Sequence, residues 1–249
     1  MPIILKSDEE IAIMRHAGSV VAQTLQKLVD ALRIGLVAKE LDKIVRREFE
    51  EHKVVPTFLG YHGYPATVCV SVNEEIVHGI PGKRVIQDGD IVSLDLGCTY
   101  KGFVADSAVT AIVGTEHPDR RKLVDVARES LEKGIEQARA GNRLGQISHA
   151  IQEHIESNGF SVVREYVGHG VGRQMHEEPQ VPNFGTPDRG PVLKKGMVLA
   201  LEPMVTAGDW RTRQLADRWT VVTADGSLSA HFEHTVAITD DGPCVLTVP

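Results

Sequence analysis

Six residues of this chain stand where ligand-capable side chains are costly to place. The stretch "IVSLDLGCTYKGFVADSAVTAIV", Ile91 to Val113, reads as two apolar strands around a Lys101-Gly102 turn. Asp95 is set into the first strand and Asp106 into the second. "YVGHGVG" carries His169 between glycines, and "GMVLALEPMV" puts Glu202 at the end of an apolar strand. "SAHFEHTVAI" holds Glu233 beside His234, and "IVHGIPG" holds His78. Four carboxylates and an imidazole in such frames cost free energy unless something neutralises them. An oxygen-rich set with one imidazole suits hard or borderline divalent ions such as Mn²⁺, Fe²⁺, Co²⁺ or Zn²⁺. Carboxylates can bridge, so the set has the donors for two ions roughly 3.5–4 Å apart, a spacing typical of hydrolases that activate water.

The hairpin makes this concrete. Alternate residues of a strand face opposite ways, and facing residues of a hairpin have position numbers that add to a constant. One register sets Asp95 directly opposite Asp106. A two-residue slip keeps both on one face as diagonal neighbours, and only a slip by one separates them. Taken singly, each residue has a plainer reading. A glutamate at a strand end is usually an edge residue facing water, and a histidine among glycines is usually a hydrogen-bonded loop residue. Scattered surface acids therefore compete with a metal site at this level. The glycines around His169 do not form G-x-G-x-x-G, so a dinucleotide site is a poor fit.

The elements that must position these residues follow from the rest of the chain. Its 249 residues, 42% hydrophobic and 24% charged, are enough for one or two domains with a substantial core. A net charge of -7 with both signs interspersed argues against a dedicated nucleic-acid binder. Three cysteines without a C-x-x-C point to reduced thiols in a cytosolic protein. The N-terminus "MPIILKSDEE" lacks the pattern of a signal peptide, and no apolar run approaches a membrane span. The expectation is a soluble, cytoplasmic chain.

"SDEE" at Ser7 to Glu10 is a capping box, and a helix follows with Ile11, Met14, Ala17, Val21, Leu25 and Leu28 at helical spacing, broken by Gly35. A second helix is predicted over about 38–51, strands from 68 to 113, a helix from Pro118 towards Ala140, and a fourth from about Leu144 to Ser157. Strands fill most of the remainder. Helix, helix, strands therefore occurs twice, and a shift of 106 carries Gly35 onto Gly141 and one helix's apolar positions onto the other's. With no Pro/Gly/Ser-rich linker between the halves, the pattern predicts a single α+β unit with internal pseudo-symmetry, spanning residues 1–249.

In order along the chain, "GYHGYPATVCVSVNEEIVHGIPG", "DGDIVSLDLG", "GFVADSA", "GHGVGRQMHEEPQVPN", "GMVLALEPMV" and "RWTVVTADGSLSAHFEHTVAIT" resemble the motifs of the type I methionine aminopeptidases. The resemblance runs from about Ser7 to Thr239, nearly the whole chain. It implies the pita-bread (creatinase/aminopeptidase) fold, two pseudo-symmetric α/β halves around a central dinuclear metal site. It also implies removal of initiator methionine from new proteins with a small second residue. By the same resemblance Asp95, Asp106, His169, Glu202 and Glu233 are metal ligands, with Asp106 and Glu233 bridging two divalent ions (Co, Mn, Fe, Zn or Ni). Glu202 would relay the proton of a water as general base and acid. His176 would hydrogen-bond the scissile carbonyl as it gains charge. His78 would contact the scissile amide nitrogen or the tetrahedral intermediate, and the substrate α-amine would sit against one metal and Asp95. Phe58, Tyr61, Tyr64, Cys69 and Trp219 match the positions of the methionine pocket; for the aromatics the plainer reading is core packing.

Four positions depart from what many members carry: Val104-Ala105 for His-Gly, Gly97 for threonine and Met175 for an aromatic. None removes a ligand; they bear on metal preference and pocket detail. The partners implied are nascent polypeptide N-termini, met at the ribosome, with no sequence-specific nucleic acid and no membrane, and the chain is expected to be a monomer. Met1-Pro2 makes the chain resemble its own substrate. Two other readings compete. An X-Pro-cleaving aminopeptidase or dipeptidase shares the five ligands but usually carries a separate N-terminal domain. A non-catalytic binding module of the same fold would be expected to have lost ligands.

Overall fold

The computed structural model describes residues 2–249, so the Met1-Pro2 reading falls partly outside the described residues. Helix α1 (Asp8–Ala31) opens with the expected capping box: Ser7 Oγ accepts from the Glu10 N–H at 3.2 Å and Glu10 accepts from the Ser7 N–H at 3.0 Å. Its buried face is Met14, Ala17, Val21, Leu25 and Leu28, the apolar stripe of a 3.6-residue period. Helix α2 spans Lys39–Glu51. In the second half α3 covers Pro118–Gln137 and α4 Leu144–Ser157. Helix α3 stops three residues short of the predicted Ala140, where Asn142 Nδ2 donates to the Gln137 carbonyl at 2.9 Å and closes the helix end.

Strands β1 (Val55–Pro56), β2 (Cys69–Val72), β3 (Glu75–Val77), β4 (Ile91–Tyr100) and β5 (Phe103–Ile112) belong to the first half. The second supplies β6 (Ser161–Val162), β7 (Gly168–Gly170), β8 (Glu177–Val181), β9 (Val198–Leu201) and β10 (Met204–Thr206). It ends with β11 (Thr212–Gln214), β12 (Val221–Thr223), β13 (Ser229–His231), β14 (Glu233–Thr239) and β15 (Gly242–Val245). The main sheet runs β1-β4-β5-β14-β9-β7-β8, with β2 also on β4 and β15 on β14. Two three-stranded sheets, β13-β10-β6 and β11-β12-β3, flank it. One core packs α1 and α2 on β2 and β4; another packs α3 and α4 on β9 and β14. No helix among the described residues is long and apolar enough to cross a membrane.

The internal repeat extends to individual backbone bonds. Gly35, Ala38 and Lys39 donate to the carbonyls of Ile86, Arg84 and Gly82; Gly141, Leu144 and Gly145 donate to those of Leu193, Pro191 and Arg189. Gly35 and Gly141 both adopt positive φ, 86° and 92°, which a side chain would strain. The two halves are joined where β14 meets β5, through Glu233 opposite Ala108 and His234 opposite Ser107.

The hairpin takes the slipped register. Gly97 faces Asp106, Asp95 faces Ala108, and Tyr100 faces Phe103 across a two-residue turn. Lys101 and Gly102 sit at φ 46° and 79°, the left-handed pair a type I′ turn requires. The directly opposed register would move the turn back onto Tyr100-Lys101 and take glycine out of it. Turn chemistry thus selects diagonal aspartates.

Candidate metal centre and active site

Sheet order brings the acids together. Asp95 on β4 and Glu233 on β14 both stand opposite Ala108 of β5, so the three form one row, and Ala108's small side chain separates the carboxylates. His234 pairs with Leu201, which places Glu202 at the next position beside Glu233. His169, on β7, pairs with Ala200 of β9. Ligand atoms of Asp106, His169 and Glu233 all lie within 4.8 Å of one another. His169 Nε2 is 3.6 Å from Asp106 Oδ2 and 3.5 Å from Glu202 Oε1. Asp106, His169 and Glu233 are buried; Asp95 and Glu202 are partly so.

The tautomer of His169 tests whether this set fits a cation. Its Nδ1 lies 2.9 Å from the Gly170 carbonyl, which can only accept, so Nδ1 carries the proton and Nε2 presents a lone pair. That lone pair faces carboxylate oxygens, acceptor against acceptor. Asp95 Oδ1 and Asp106 Oδ2 are buried and have no hydrogen-bond partner among the described residues. Burial holds the His169 imidazole down to about 4, so it supplies no positive charge near neutral pH. Burial, with the neighbouring carboxylates added, pushes Asp95, Glu202 and Glu233 well above the usual range. Asp106 is pushed up to about 6 by burial, against a hydrogen bond from Thr235. Convergent acceptors with no counter-charge fit divalent metal.

Against Asp95 opens a cavity of about 230 Å³ lined by Phe58, Tyr61, Tyr64, Cys69, Trp219 and Met175, and also by His62, His78 and His176. Tyr64 spends its hydroxyl on the Val68 and Gly79 carbonyls, at 3.1 and 2.9 Å, and so presents only its ring. Trp219 meets that ring edge-on at 5.1 Å between centroids. Cys69 pairs with Asp95 across β2 and β4, and burial together with the Asp95 charge pushes its thiol well up, leaving a neutral apolar group. A methionine side chain, four heavy atoms at the ~30 Å³ a water molecule occupies in the liquid, needs about 120 Å³.

The His176 ring lies 4.3 Å from that of His169, centroid to centroid and tilted by 59°, and its Nδ1 lies 2.6 Å from Tyr61 Oη. His78, at φ 61°, edges against Tyr166 and Trp219, and burial holds it down to about 4, neutral. The structure thus gathers every residue singled out from the sequence around one centre. It adds three that sequence reading passed over. Thr235 bonds Asp106; Met175, noted only as a departure, lines the cavity; and buried His231 puts an unpaired Nε2 4.0 Å from Glu202 Oε2. His231 and Thr235 flank Glu233 at two-residue spacing, an alternation that was available to find them.

A curled sheet in two like halves, with carboxylates and one histidine on its inner face, defines a pita-bread metallopeptidase. The chain matches the model of metallopeptidase family M24 over residues 12–240. Within that family it belongs to the methionine aminopeptidases. It is 54% identical to methionine aminopeptidase 1 of Bacillus subtilis over 245 residues, 98% of this chain and 99% of that one. It is 51% identical to the methionine aminopeptidase of Clostridium perfringens, over 99% of each chain. The crystal structure of methionine aminopeptidase from Thermotoga maritima superposes with a TM-score of 0.98 at 51% identity, covering 100% of both chains. The prolidase from Pyrococcus furiosus shares the fold, with a TM-score of 0.81 at 23% identity over 99% of this chain and 66% of its own. The X-Pro alternative is therefore not favoured.

Proposed function

We propose that this chain, acting as one catalytic domain over residues 1–249, removes N-terminal methionine from nascent polypeptides with a small second residue. The observation that carries the proposal is the convergence of His169 Nε2 with the oxygens of Asp106, Glu202 and Glu233 beside a mainly apolar cavity with room for a methionine side chain. Asp95, Asp106, His169, Glu202 and Glu233 would hold two divalent ions. Co, Mn, Fe, Zn and Ni all accept such donors, and site geometry and metal availability select among them. When bound, the ions provide the positive charge that makes water acidic near neutral pH and polarises a carbonyl.

The chain's own groups do the rest. Phe58, Tyr61, Tyr64, Cys69 and Trp219 receive the methionine side chain, and Asp95 at the cavity wall takes the free α-amine, which restricts cleavage to the first peptide bond. Glu202 accepts the proton of the attacking water and returns it to the leaving amine. Tyr61 Oη and His176 Nδ1 lie 2.6 Å apart; in the tautomer proposed here Tyr61 is the donor, and the proton on His176 Nε2 is aimed at the carbonyl oxygen as it gains charge. His78, neutral, contacts the scissile amide nitrogen or the tetrahedral intermediate. The chain works as a monomer in the cytoplasm, meeting its substrates at the ribosome. Hydrolysis of Met-Ala-Ser by metal-reconstituted protein, wild type beside Asp106→Asn, tests this. The variant is expected to lose turnover and bound metal together, and an unchanged rate would refute the ligand assignment.

A further inference from the structure

Lys6 lies in the N-terminal arm ahead of α1, anchored by its own N–H to the Gly196 carbonyl at 2.7 Å. Its ammonium is buried against Glu177 at 2.7 Å, with the two side chains 3% and 6% exposed. It also reaches the Ile4 carbonyl at 3.1 Å. A buried ion pair is a poor source of net stability, because desolvation offsets its attraction. Its value must be sought in what it holds in place.

Glu177 follows His176 directly. While Oε2 takes the Lys6 ammonium, Oε1 accepts the backbone N–H groups of Arg173 and Gln174, at 2.8 and 3.2 Å. Both come from the turn at 172–176 that delivers His176 to the cavity. The pair sits tightly against the start of that turn: a Cβ on Gly172 would lie 2.4 Å from Lys6 Cε and 2.6 Å from Glu177 Oε1. Gly172 in turn accepts from the Val104 N–H at 2.8 Å, two residues before Asp106.

We infer that Lys6 is a positioning residue: its buried pair with Glu177 fixes the 172–176 turn and, through it, the reach of His176 towards the scissile carbonyl. The inference rests on the role proposed above for His176. It assigns a catalytic purpose to a residue at the opposite end of the sequence from the carboxylates, outside every motif that marks the site.

The test is steady-state kinetics on full-length, metal-reconstituted enzyme with Met-Ala-Ser, for wild type, Lys6→Met, His176→Ala and the two combined. Lys6→Met is expected to lower kcat by about 10- to 100-fold, the cost of a catalytic group displaced by up to an ångström, with KM and bound metal near wild type. In the His176→Ala background the same change is expected to cost less than about twofold, since the group it aims is gone. Lys6→Met leaves a carboxylate buried without its counter-charge and can fail to fold. Lys6→Met/Glu177→Gln, neutral and still able to accept both N–H groups, is therefore measured alongside. It is expected to fold, to keep its metal, and to lose kcat by a smaller factor that also vanishes without His176. If His176→Ala is slow but Lys6→Met is not, or the losses multiply, the inference falls alone. If His176→Ala turns over normally, the reading of His176 falls and takes the inference with it.

Discussion

Thr235 stands in for a rung of the sheet at Asp106. Its hydroxyl oxygen accepts the Asp106 backbone N–H at 3.1 Å and lies 2.8 Å from the Asp106 carbonyl and 3.0 Å from Oδ1, so its one proton serves either oxygen. The seam between the halves, where β5 and β14 part, is thereby closed by a side chain that also touches the carboxylate.

Removing that hydroxyl should loosen the carboxylate without deleting it. Thr235→Ala is expected to weaken divalent-metal binding by about 10- to 100-fold, the usual cost of losing a group that orients a ligand. Isothermal titration of metal-free protein with Mn²⁺ measures it, and affinity equal to wild type would show Asp106 oriented by other means.

Tyr61 is expected to matter through a single hydrogen bond. Tyr61→Phe keeps the ring at the cavity but leaves His176 Nδ1 without its partner, so the Nε2–H tautomer loses its preference. A neutral hydrogen bond is worth about 1 kcal/mol, roughly a fivefold change. The loss should appear in kcat for Met-Ala-Ser rather than in KM; a change confined to KM would assign Tyr61 to the pocket alone.

Gly97 and Phe58 should behave as a pair. A Cβ at Gly97 would meet Phe58 Cε1 and Asp106 Cβ, each at 3.1 Å, so the Phe58 ring rests in space that a side chain at 97 would claim. Gly97→Thr is expected to push Phe58 into the cavity and raise KM, and to cost about 1–3 kcal/mol of stability through overpacking. Adding Phe58→Ala should return most of it. No recovery in the double variant would place the damage at Asp106 instead.

The pH dependence has a definite sign. Asp106 titrates at about 6 in the folded chain against 3.8 in its absence, so folding favours the protonated form, and the metal-free protein loses that stability as pH rises through about 6. Asp95, Glu202 and Glu233 are displaced the same way and add to the loss. Divalent metal needs the ionised forms and reverses the penalty. The melting temperature in EDTA should fall between pH 5.5 and 8, while the increment given by saturating Mn²⁺ should grow. An increment equal at both ends would argue against proton–metal competition at these groups.

The fold was legible wherever the signal is local. The Ser7–Glu10 capping box, the apolar stripe of α1, the start of α3 at Pro118 and the end of α4 before Asn158-Gly159 are set by neighbours within a turn. Glycine at 35 and 141 marks the repeat because φ near 90° excludes side chains. The candidate ligands were legible too, since a carboxylate inside an apolar strand is conspicuous by its cost. Family resemblance supplied their roles, which alternation alone did not contain.

What the sequence by itself determined is which residues lie on the inner face of each strand, because side-chain period is a property of one strand. Even the Asp95–Asp106 register was written in the Lys101-Gly102 turn, once the left-handed requirement of that turn is weighed. Only the tertiary structure decided how the strands line up across the seam, with Asp95 and Glu233 flanking Ala108 and Thr235 on Asp106, and that Lys6 meets Glu177. The contacts across the seam and at the N-terminal arm join residues far apart in the chain, such as Ser107 with Glu233, 126 positions apart, and Lys6 with Glu177, 171 apart. They depend on sheet order and on burial shared between both halves, and no local pattern of residues encodes either.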